Sequence, residues 1–428
     1  MKLHIENFAK ISDVTLLLDG ITVVAGDNNT GKSTIGKVLY SIFRSLSSID
    51  RRIYKERIRT LQKVFNAIPG EDISYETAHS LLEGTKVPGE ILLQRALRWC
   101  KTLNVVNPNV VAKEMVENVL PDVNKKIYAI RNATQESIGS VILLRVFNCV
   151  FHGQYHPLRP TEAAARISYL IKDGKGEENE NWIRFLHDHV EIHAPTRLQK
   201  TVRLISDPNA INLLNVRDFQ TNQTYADLLD KFVYELGEEL CKIDNHTAVE
   251  SALSRGDLRK VFDQLGCLIV DSVHHDDRKD FVLKEPGNQV PTRVENLSMG
   301  MKALVLLKTI LERQILDKKD VLILDEPEIH LHPEWQVIYA KVIVLLQQAY
   351  DLTILLTSHS PVFINAIQRY AVEAGITDKT NFYLSEEDAL KPGFCTARHL
   401  DANTGPIYKG FNKSKSMLEK LSAYPEFG

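Results

Sequence analysis

The segment from Gly26 to Ser33 has the spacing Gly-x-x-x-x-Gly-Lys-Ser, which could bind phosphate groups. Its two glycines let the loop curl so that backbone N–H groups face an anion. Lys32 would contact the outer phosphates, and the Ser33 hydroxyl would ligate Mg²⁺. We therefore predict a phosphate-binding run that consists of Asn28, Asn29, Thr30, Gly31, Lys32, Ser33 and Thr34.

Two carboxylates and a histidine elsewhere in the chain could complete such a site. Asp325 suits the Mg²⁺ shell, and Glu326 suits the polarisation of an attacking water. His359 could hold a terminal phosphate and that water as a neutral imidazole. The alternatives are acidic residues that favour a helix N-terminus and a structural histidine. We predict Glu326 and His359 as catalytic residues because a phosphate loop needs such partners.

Each of these polar groups directly follows an apolar run that predicts a buried strand. The runs are Ile21–Ala25 before the loop, Val321–Leu324 before the carboxylates, and Thr353–Thr357 before the histidine. Open α/β sheets bind ligands at the carboxyl ends of their strands, so the three segments should meet at one edge. The helix-like stretch Ile35–Leu46 after the loop also favours a phosphate site over an ordinary glycine-rich turn.

The sequence Asp-Glu-Pro-Glu-Ile-His-Leu-His-Pro at 325–333 resembles the extended Walker B and D-loop of ABC-type ATPases of the SMC-like and OLD-like group. His359 matches the switch histidine of that group. Leu-Ser-Met-Gly-Met-Lys at 297–302 occupies the place of its Leu-Ser-Gly-Gly-Gln signature and departs from it at Met299 and Met301. The two phosphate-contacting positions of the signature, Ser298 and Gly300, are retained.

This resemblance implies that ATP lies between two subunits, with Ser298 and Gly300 capping the γ-phosphate of the opposite one. We therefore expect a homodimer or a higher even oligomer. The simpler alternative for the signature segment is an ordinary helix from Met299 to Leu316 capped by Ser298. Such a helix is compatible with a phosphate-capping role for Ser298 and Gly300 and with the absence of that role.

The fold that the resemblance implies is α/β, an ABC-type P-loop ATPase head with a mixed β-sheet flanked by helices and a mainly helical insertion. We place the head at 1–45 and 140–428 and the insertion at 46–139. Apolar residues spaced three or four apart in the insertion predict amphipathic helices, as at Ile58, Leu61, Val64 and Phe65. No heptad pattern persists there, so we expect a compact insertion in place of the long coiled coil of SMC-like relatives.

Residues Val141–Tyr155 predict a short buried element, followed by strands at 166–171 and 182–186 around a charged turn from Lys172 to Asn181. In the family, a glutamine after such an element contacts Mg²⁺. Gln154 is the candidate here, which makes the expected metal ligands Ser33, Asp325 and Gln154. An ordinary polar loop residue is an equally open alternative for Gln154.

For several other histidines the sequence favours a structural or solvent-exposed position over a role as metal ligand. His187, His189, Glu191 and His193 would share one face of a strand, and a solvated face is a better explanation for them than a metal site. The run from His274 to Asp277 predicts an exposed acidic loop. His330 and His332 are expected to pack or to lie in an interface.

Composition describes a large protein with an ample core. The chain has 428 residues, 44% of them hydrophobic, and a formal net charge of −3, which argues against coating nucleic acid by bulk charge. Its five cysteines lack Cys-x-x-Cys spacing, so we expect reduced thiols. A strand-like start and the absence of about 20 consecutive apolar residues predict a cytoplasmic protein without a membrane span.

Within bacteria, the motifs look most like the stand-alone ATPases of antiphage defence, of the Septu-type or retron-associated kind. The resemblance implies a subunit that binds and hydrolyses ATP, senses infection and controls a separate effector, an HNH-type nuclease or another toxin, with nucleic acid contacted through the complex. We expect no intrinsic nuclease, because residues 377–428 are too few for the Toprim domain of OLD-like enzymes. The alternative is a DNA-repair or chromosome-associated ATPase that clamps DNA directly.

Overall fold

The computed structural model describes residues 1–65, 69, 72–157, 164–172, 178–186, 189–194, 198–216, 231–241, 248–269, 272–275, 280–284, 287–400 and 405–408. The chain divides into two compact units. One combines Met1–Ser47 with Leu143–Gly428, and the other is Ser48–Ile142. The first unit contains every named strand, whereas the second is helical in its described part.

An eleven-stranded mixed sheet forms the centre of the α/β unit. Its strands in chain order are β1 (Lys2–Phe8), β2 (Ile11–Leu17), β3 (Ile21–Gly26), β4 (Ala165–Lys172), β5 (Glu178–Phe185), β6 (Val190–His193), β7 (Val202–Ile205), β11 (Val321–Asp325), β12 (Thr353–Ser358), β13 (Thr380–Glu387) and β14 (Cys395–Leu400). A separate three-stranded sheet contains β8 (His274–His275), β9 (Phe281–Leu283) and β10 (Thr292–Arg293).

The strand order across the large sheet is β6-β5-β4-β1-β2-β14-β13-β3-β12-β11-β7. Strands β13, β3, β12, β11 and β7 run parallel, and β2, β1, β4, β5 and β6 pair antiparallel. Parallel strands are covered on both faces, which explains why β3 is buried throughout. The parallel register aligns the ends of β3, β12 and β11, because Ser358 pairs with Ala25 and Asp325 with Thr357.

Helices of the α/β unit cover this sheet. They are α1 (Lys32–Leu46), the second half of α6 (Gln135–Phe151), α7 (Lys231–Leu240), α8 (Ala248–Asp257), α9 (Arg259–Gly266), α10 (Met299–Glu312), α11 (Pro333–Tyr350) and α12 (Pro361–Glu373). Short 3₁₀ segments occur at Pro208–Asn215, Val294–Asn296 and Thr377–Lys379. Helix α1 packs on β3, β7, β11 and β12, which fixes its first turn at the carboxyl edge of the parallel strands.

The helical unit contains α2 (Ile49–Phe65), α3 (Tyr75–Glu83), α4 (Pro88–Thr102), α5 (Pro108–Asn132) and the first half of α6. Its core uses the three-and-four spacing of the sequence, with Ile58, Leu61 and Phe65 all buried on one face of α2. Helices α4 and α5 both begin with proline. Proline is tolerated in the first helical turn because the N–H that it lacks would have no intrahelical partner there.

The predicted α/β class, a mixed sheet flanked by helices, is confirmed. The expectation of a short element from Val141 to Tyr155 is wrong, because most of these residues belong to the 17-residue helix α6. The strands on both sides of the predicted charged turn extend into it, since β4 continues to Lys172 and β5 begins at Glu178, and residues 173–177 lie outside the described residues. Similarly, His274 and His275 form β8, while Asp276 and Asp277 lie outside the described residues.

Within the described part of the chain, no helix combines the length and the apolar character that a membrane span requires.

Candidate functional site: a phosphate loop, two carboxylates and a histidine

The phosphate loop joins β3 to α1 and depends on its two glycines. Gly26 lies so close to β13 that a Cβ there would come 2.3 Å from the carbonyl oxygen of Ser385. Gly31 precedes α1 with φ of 87°, a left-handed conformation that strains other residues. The first turn of α1 has no acidic residue, so its N-terminal N–H groups present an anion-binding end.

Lys32 lies under this loop with its side chain 3% exposed. Its Nζ donates hydrogen bonds to the carbonyl oxygens of Gly26, at 2.9 Å, and Asp27, at 2.8 Å. The same nitrogen lies 3.4 Å from Oε1 of Glu326. The ammonium therefore connects the loop to the carboxylate that follows β11.

The middle of the loop is exposed and held by its neighbours. Lys10 donates to Oδ1 of Asn29 at 2.6 Å, and Ser385 donates to the carbonyl oxygen of Thr30 at 2.7 Å. Asn28 is exposed like Asn29, so its polar atoms face solvent. These contacts hold the loop between the turn from β1 to β2 and the strand β13.

Ser33 and Asp325 form the part of the site that suits a divalent cation. The Ser33 hydroxyl donates to Oδ1 of Asp325 at 3.0 Å, and the Thr357 hydroxyl donates to the same oxygen at 2.5 Å. A carboxylate and two hydroxyls are hard oxygen ligands, the type that Mg²⁺ prefers, so the residues present fit this ion. Thr34 follows Ser33 in the first turn of α1 and is half-buried.

Glu326 is held in an unusual backbone conformation. Its φ is 48°, in the left-handed region that costs a non-glycine residue about 1 kcal/mol or more. The conformation is fixed by Thr357, whose side-chain and backbone oxygens accept from the Glu326 N–H at 3.0 and 3.2 Å. The Oε2 atom then lies 3.4 Å from Nδ1 of His359, an electrostatic contact longer than a hydrogen bond.

Glu328 is a functional candidate that the sequence analysis missed. It is 1% exposed, and its Oε1 accepts from the Ser358 hydroxyl at 2.6 Å and from the His359 N–H at 3.3 Å. Burial raises the pKa of this carboxyl, although the Ser358 hydrogen bond acts in the opposite direction. The only sequence signal was a third acidic residue in the segment, directly after Pro327, and nothing in the pattern distinguished it from a surface glutamate.

A second connection ties the same two segments together. The amide of Gln336, in α11, donates to the carbonyl oxygen of Leu331 at 3.0 Å and accepts from the Ser360 hydroxyl at 2.7 Å. Ser360 caps α12 through a bond from the Phe363 N–H. The loops after β11 and β12 are thus joined at Glu328 and at Gln336.

The predicted cap residues lie at the start of α10. Ser298 is the N-cap, with its hydroxyl accepting from the Met301 N–H at 3.3 Å, and it is exposed. Gly300 is buried against the segment after β11, where a Cβ would come 2.7 Å from the carbonyl oxygen of His330. Helix α10 ends at Glu312, four residues before the predicted Leu316. A role for either residue toward a second subunit stays a prediction.

Gln154 lies in the turn after α6, with its backbone N–H donating to the Phe151 carbonyl at 2.8 Å and its side chain exposed. The next carbonyl, of Tyr155, accepts from the Ala9 N–H in the turn from β1 to β2. Lys10 in that turn contacts the phosphate loop, so the turn from β1 to β2 connects the segment that contains Gln154 to the loop. Among the described contacts none joins Gln154 to Ser33 or Asp325, so its place in the metal shell stays a prediction.

A cavity of about 880 Å³ adjoins the loop on the side of β13 and β14. Residues 26–30 form one wall, and the hairpin from β13 to β14 forms the other with Phe394 and Arg398. Lys10 also lines it. The sequence analysis assigned no function to these hairpin residues, because nothing in their spacing relates them to the distant glycine-rich motif.

Among the described residues, His4 lies with Glu6 and Asp13 in a group whose ligand atoms are close enough together for one metal ion, and none of the other described histidines lies in such a group. His193 stacks on Trp182, while His189 lies 4.0 Å from Glu191 at the surface. His187 is outside the described residues. His330 and His332 are both exposed.

A family model described as AAA ATPase domain matches residues 1–364 of the chain. No curated protein matches the chain. Solved structures to which the chain is similar include an SMC head bound to the C-winged helix domain of ScpA, at 12% identity and a TM-score of 0.43, covering 94% of this chain and 98% of that one.

Two further similar structures have the same identity of 12%. The SMC head domain from Thermotoga maritima has a TM-score of 0.38 and covers 94% of this chain and 98% of its own. The Smc head domain with an extended coiled coil, bound to the C-terminal domain of ScpA derived from Pyrococcus furiosus, has a TM-score of 0.43 and covers 98% of both.

Proposed function

The chain belongs to the AAA ATPase domain family, and we propose that it binds ATP with Mg²⁺ and hydrolyses it where β3, β11 and β12 end. The observation that carries this proposal is the position of the Glu326 carboxylate. One oxygen lies 3.4 Å from Lys32 Nζ and the other 3.4 Å from His359 Nδ1. A cation that attracts phosphate and a ring that can hold a phosphate oxygen thus flank a group able to accept a proton from water.

The strand order supports one orientation of the nucleotide. Lys32, Asp325 and His359 lie toward β12 and β11 on one side of β3, so the γ-phosphate belongs there. The cavity of about 880 Å³ lies on the other side, at β13 and β14, and would receive the ribose and the base. Phe394 offers a ring for the base, and Arg398 offers a cation for the α-phosphate.

In the proposed reaction Glu326 accepts a proton as the water oxygen forms a bond to the γ-phosphorus, while the bond from that phosphorus to the oxygen of the departing ADP breaks. Lys32 stabilises the negative charge on the transferred group, and His359 orients the water and the phosphate. Ser33 and Asp325 would hold Mg²⁺, which neutralises phosphate charge when bound, and we keep Gln154 as a proposed third ligand.

We further propose that the site is completed by a second copy of the chain. The exposed Ser298 at the start of α10, with Gly300 behind it, would approach the γ-phosphate bound by the other subunit, in a two-fold contact that uses the same patch twice. The homodimer, or a higher even oligomer, would close when ATP is bound and open after hydrolysis.

For the biological role we propose a nucleotide-driven subunit of an antiphage defence complex that controls a separate effector, an HNH-type nuclease or another toxin. Its support is the resemblance of the motifs at 26–34, 297–302 and 325–333 to stand-alone defence ATPases. The alternative proposal is a DNA-repair or chromosome-associated ATPase that clamps DNA directly. The two differ in whether DNA stimulates ATP hydrolysis by the isolated chain.

Phosphate release by the purified chain tests the core of the proposal. We expect release that needs Mg²⁺ and is lost in Glu326→Gln, whereas equal release by the variant would contradict the assignment. Addition of DNA then separates the two roles. Strong stimulation of hydrolysis, with binding that weakens steeply as salt rises, would favour the DNA clamp, and no stimulation together with a neighbouring gene for an HNH-type protein would favour the defence role.

A further inference from the structure

The helical unit contains a second large cavity, far in sequence from the phosphate loop. Its volume is about 1090 Å³, and it lies between the segment from Asp72 to Thr77, at the start of α3, and one face of α4. Glu90, Gln94, Arg98 and Lys101 line it at the three-and-four spacing of a single helix face. We call this cavity the α4 groove.

The α4 groove is basic. Four cationic side chains line it, namely Lys86, Arg95, Arg98 and Lys101, against two acidic ones, Asp72 and Glu90. This matches the composition of the unit, since residues 48–142 contain 14 lysines and arginines against 11 aspartates and glutamates, while the whole chain has 52 against 55. The helical unit therefore has a net positive charge, whereas the whole chain has a net negative charge.

Three of these cations are exposed and have no carboxylate partner in the described part of the chain. Lys86, Arg98 and Lys101 form no ion pair there, whereas Lys126 on α5 pairs with Asp122 at 2.6 Å. Three like charges around one concavity repel one another unless an anion lies between them. A polyanionic ligand would remove that repulsion.

The floor of the groove provides an aromatic surface beside the charges. Trp99 and Ile91 line the cavity, are half-buried, and pack on the core of the helical unit. Arg95 lines it as well and is only 8% exposed, so its guanidinium is fixed in the wall. An indole held by packing next to exposed cations suits a ligand with a flat ring and a phosphate.

We propose that the α4 groove binds single-stranded nucleic acid, with phosphates between Arg98, Lys101 and Lys86 and a base against Trp99. The groove is open, and three of its four cations are at the surface, as in sites that follow a backbone. A duplex keeps its bases stacked inside and could offer only phosphates to the indole. A free nucleotide would use one phosphate cluster and leave part of the row of cations unpaired.

The proposal does not depend on ATP hydrolysis, so the two can be tested separately. The probe is a fluorescein-labelled oligothymidylate of about 12 nucleotides, titrated with the full chain and followed by fluorescence anisotropy at several salt concentrations. We expect the double variant Arg98→Gln with Lys101→Gln to bind at least about tenfold more weakly. The slope of log affinity against log salt should decrease by about 1.4, since each phosphate contact on a single strand contributes about 0.7.

The matched control removes two exposed lysines from α5 of the same unit, in the variant Lys113→Gln with Lys125→Gln. It should bind the oligonucleotide like the parent, and an equal loss would overturn the proposal in favour of bulk charge. Trp99→Leu should lose about tenfold in affinity, while Trp99→Phe, which keeps a ring, should lose much less. Thermal melting of both Trp99 variants identifies a fold defect. If the Trp99 variants do not fold, the comparison of the α4 and α5 glutamine variants, which change only exposed side chains, still tests the proposal.

Competition completes the test. An unlabelled single strand should displace the probe, and an equal concentration of duplex or of a mononucleotide should not. Displacement by the mononucleotide at that concentration would assign the groove to a free nucleotide and overturn the proposal, as would equal displacement by duplex. Lys32→Ala should bind the oligonucleotide like the parent, because the phosphate loop is not the proposed site.

Discussion

The Nδ1 atom of His359 lies 3.4 Å from Oε2 of Glu326, although 32 residues separate them in the chain. The contact exists because Asp325 pairs with Thr357 across β11 and β12, so both strands end at the same level. The other oxygen of Glu326 lies 3.4 Å from Nζ of Lys32, in the first turn of α1. A carboxylate between an ammonium and an imidazole is the central relationship of the proposed site.

Replacing Lys32 by Ala should abolish ATP binding, because the triphosphate loses its main cationic partner in a buried position. Calorimetric titration with ATP measures this. Lys379→Ala is the control, since Lys379 lies at the surface and pairs with Asp351. An affinity for ATP like that of the parent in Lys32→Ala would rule out the assignment of the phosphate loop.

Glu326→Gln should keep ATP bound and slow its hydrolysis, by about 100-fold or more if the carboxylate is the base, because the amide has the same shape but cannot accept the proton. The measurement is the steady-state rate of phosphate release together with the Kd for ATP. Glu334→Gln, at an exposed position in the first turn of α11, is the control and should not change the rate. A rate within about threefold of the parent would move the base to another residue.

Glu328→Ala should reduce kcat while leaving the Kd for ATP nearly unchanged, because Glu328 positions His359 and does not reach the phosphate loop in any described contact. It should also lower the free energy of unfolding by about 1–3 kcal/mol, since the Ser358 hydroxyl and the His359 N–H lose their acceptor. Glu328→Gln keeps the acceptor oxygen and should restore most of the activity. If the alanine variant lost stability alone, with kcat intact, the positioning role would be wrong.

Burial raises the pKa of Glu328, and the direction of this shift determines how the contribution of Glu328 to stability changes with pH. A carboxyl whose pKa is raised on folding contributes stability that is fully present below the ordinary pKa, about 4.3, and lost as the pH rises through the raised value. The parent should therefore lose stability relative to Glu328→Gln as the pH rises above about 4.3. Urea denaturation of both proteins across this range measures the difference, and a constant difference would contradict it.

Gly300→Ala should destabilise the chain by about 1–3 kcal/mol, because its Cβ would overlap the carbonyl oxygen of His330 at 2.7 Å. Thermal or urea denaturation measures the change. Gly139→Ala on α6 is the matched control, since no atom lies within 4 Å of its Cβ position, and a helical alanine should stabilise by about 0.5–1 kcal/mol. Equal effects of the two substitutions would show that the close approach at Gly300 is unimportant.

Mixing Lys32→Ala subunits with Ser298→Arg subunits tests whether two copies share each site. If Ser298 acts across the interface, a mixed dimer has one site with both lesions and one site with neither, so some ATP hydrolysis should return. Each variant alone should be inactive. An inactive mixture in which mixed dimers are shown to form would argue against completion by the second copy, or for obligatory coupling of both sites.

Much of the site could be predicted from the sequence because its parts are local. A glycine-rich loop after an apolar run, carboxylates after a second run and a histidine after a third are each readable over at most 13 residues. The rule that parallel strands present ligands at their carboxyl ends then predicted that Lys32, Glu326 and His359 would meet. The amphipathic spacing around Leu61 likewise predicted helices in the insertion.

The tertiary structure decided what depends on distance through space. Glu328 differs from a surface glutamate only because Ser358 and the His359 backbone close over it, and the cavity beside Asn29 exists only because the hairpin with Phe394 returns to the phosphate loop. Helix α6 was missed because its apolar run has the composition of a buried strand as well as that of a helix. The sequence by itself determined the chemistry of the phosphate loop, whereas long-range packing decided which side chains hold that chemistry in place.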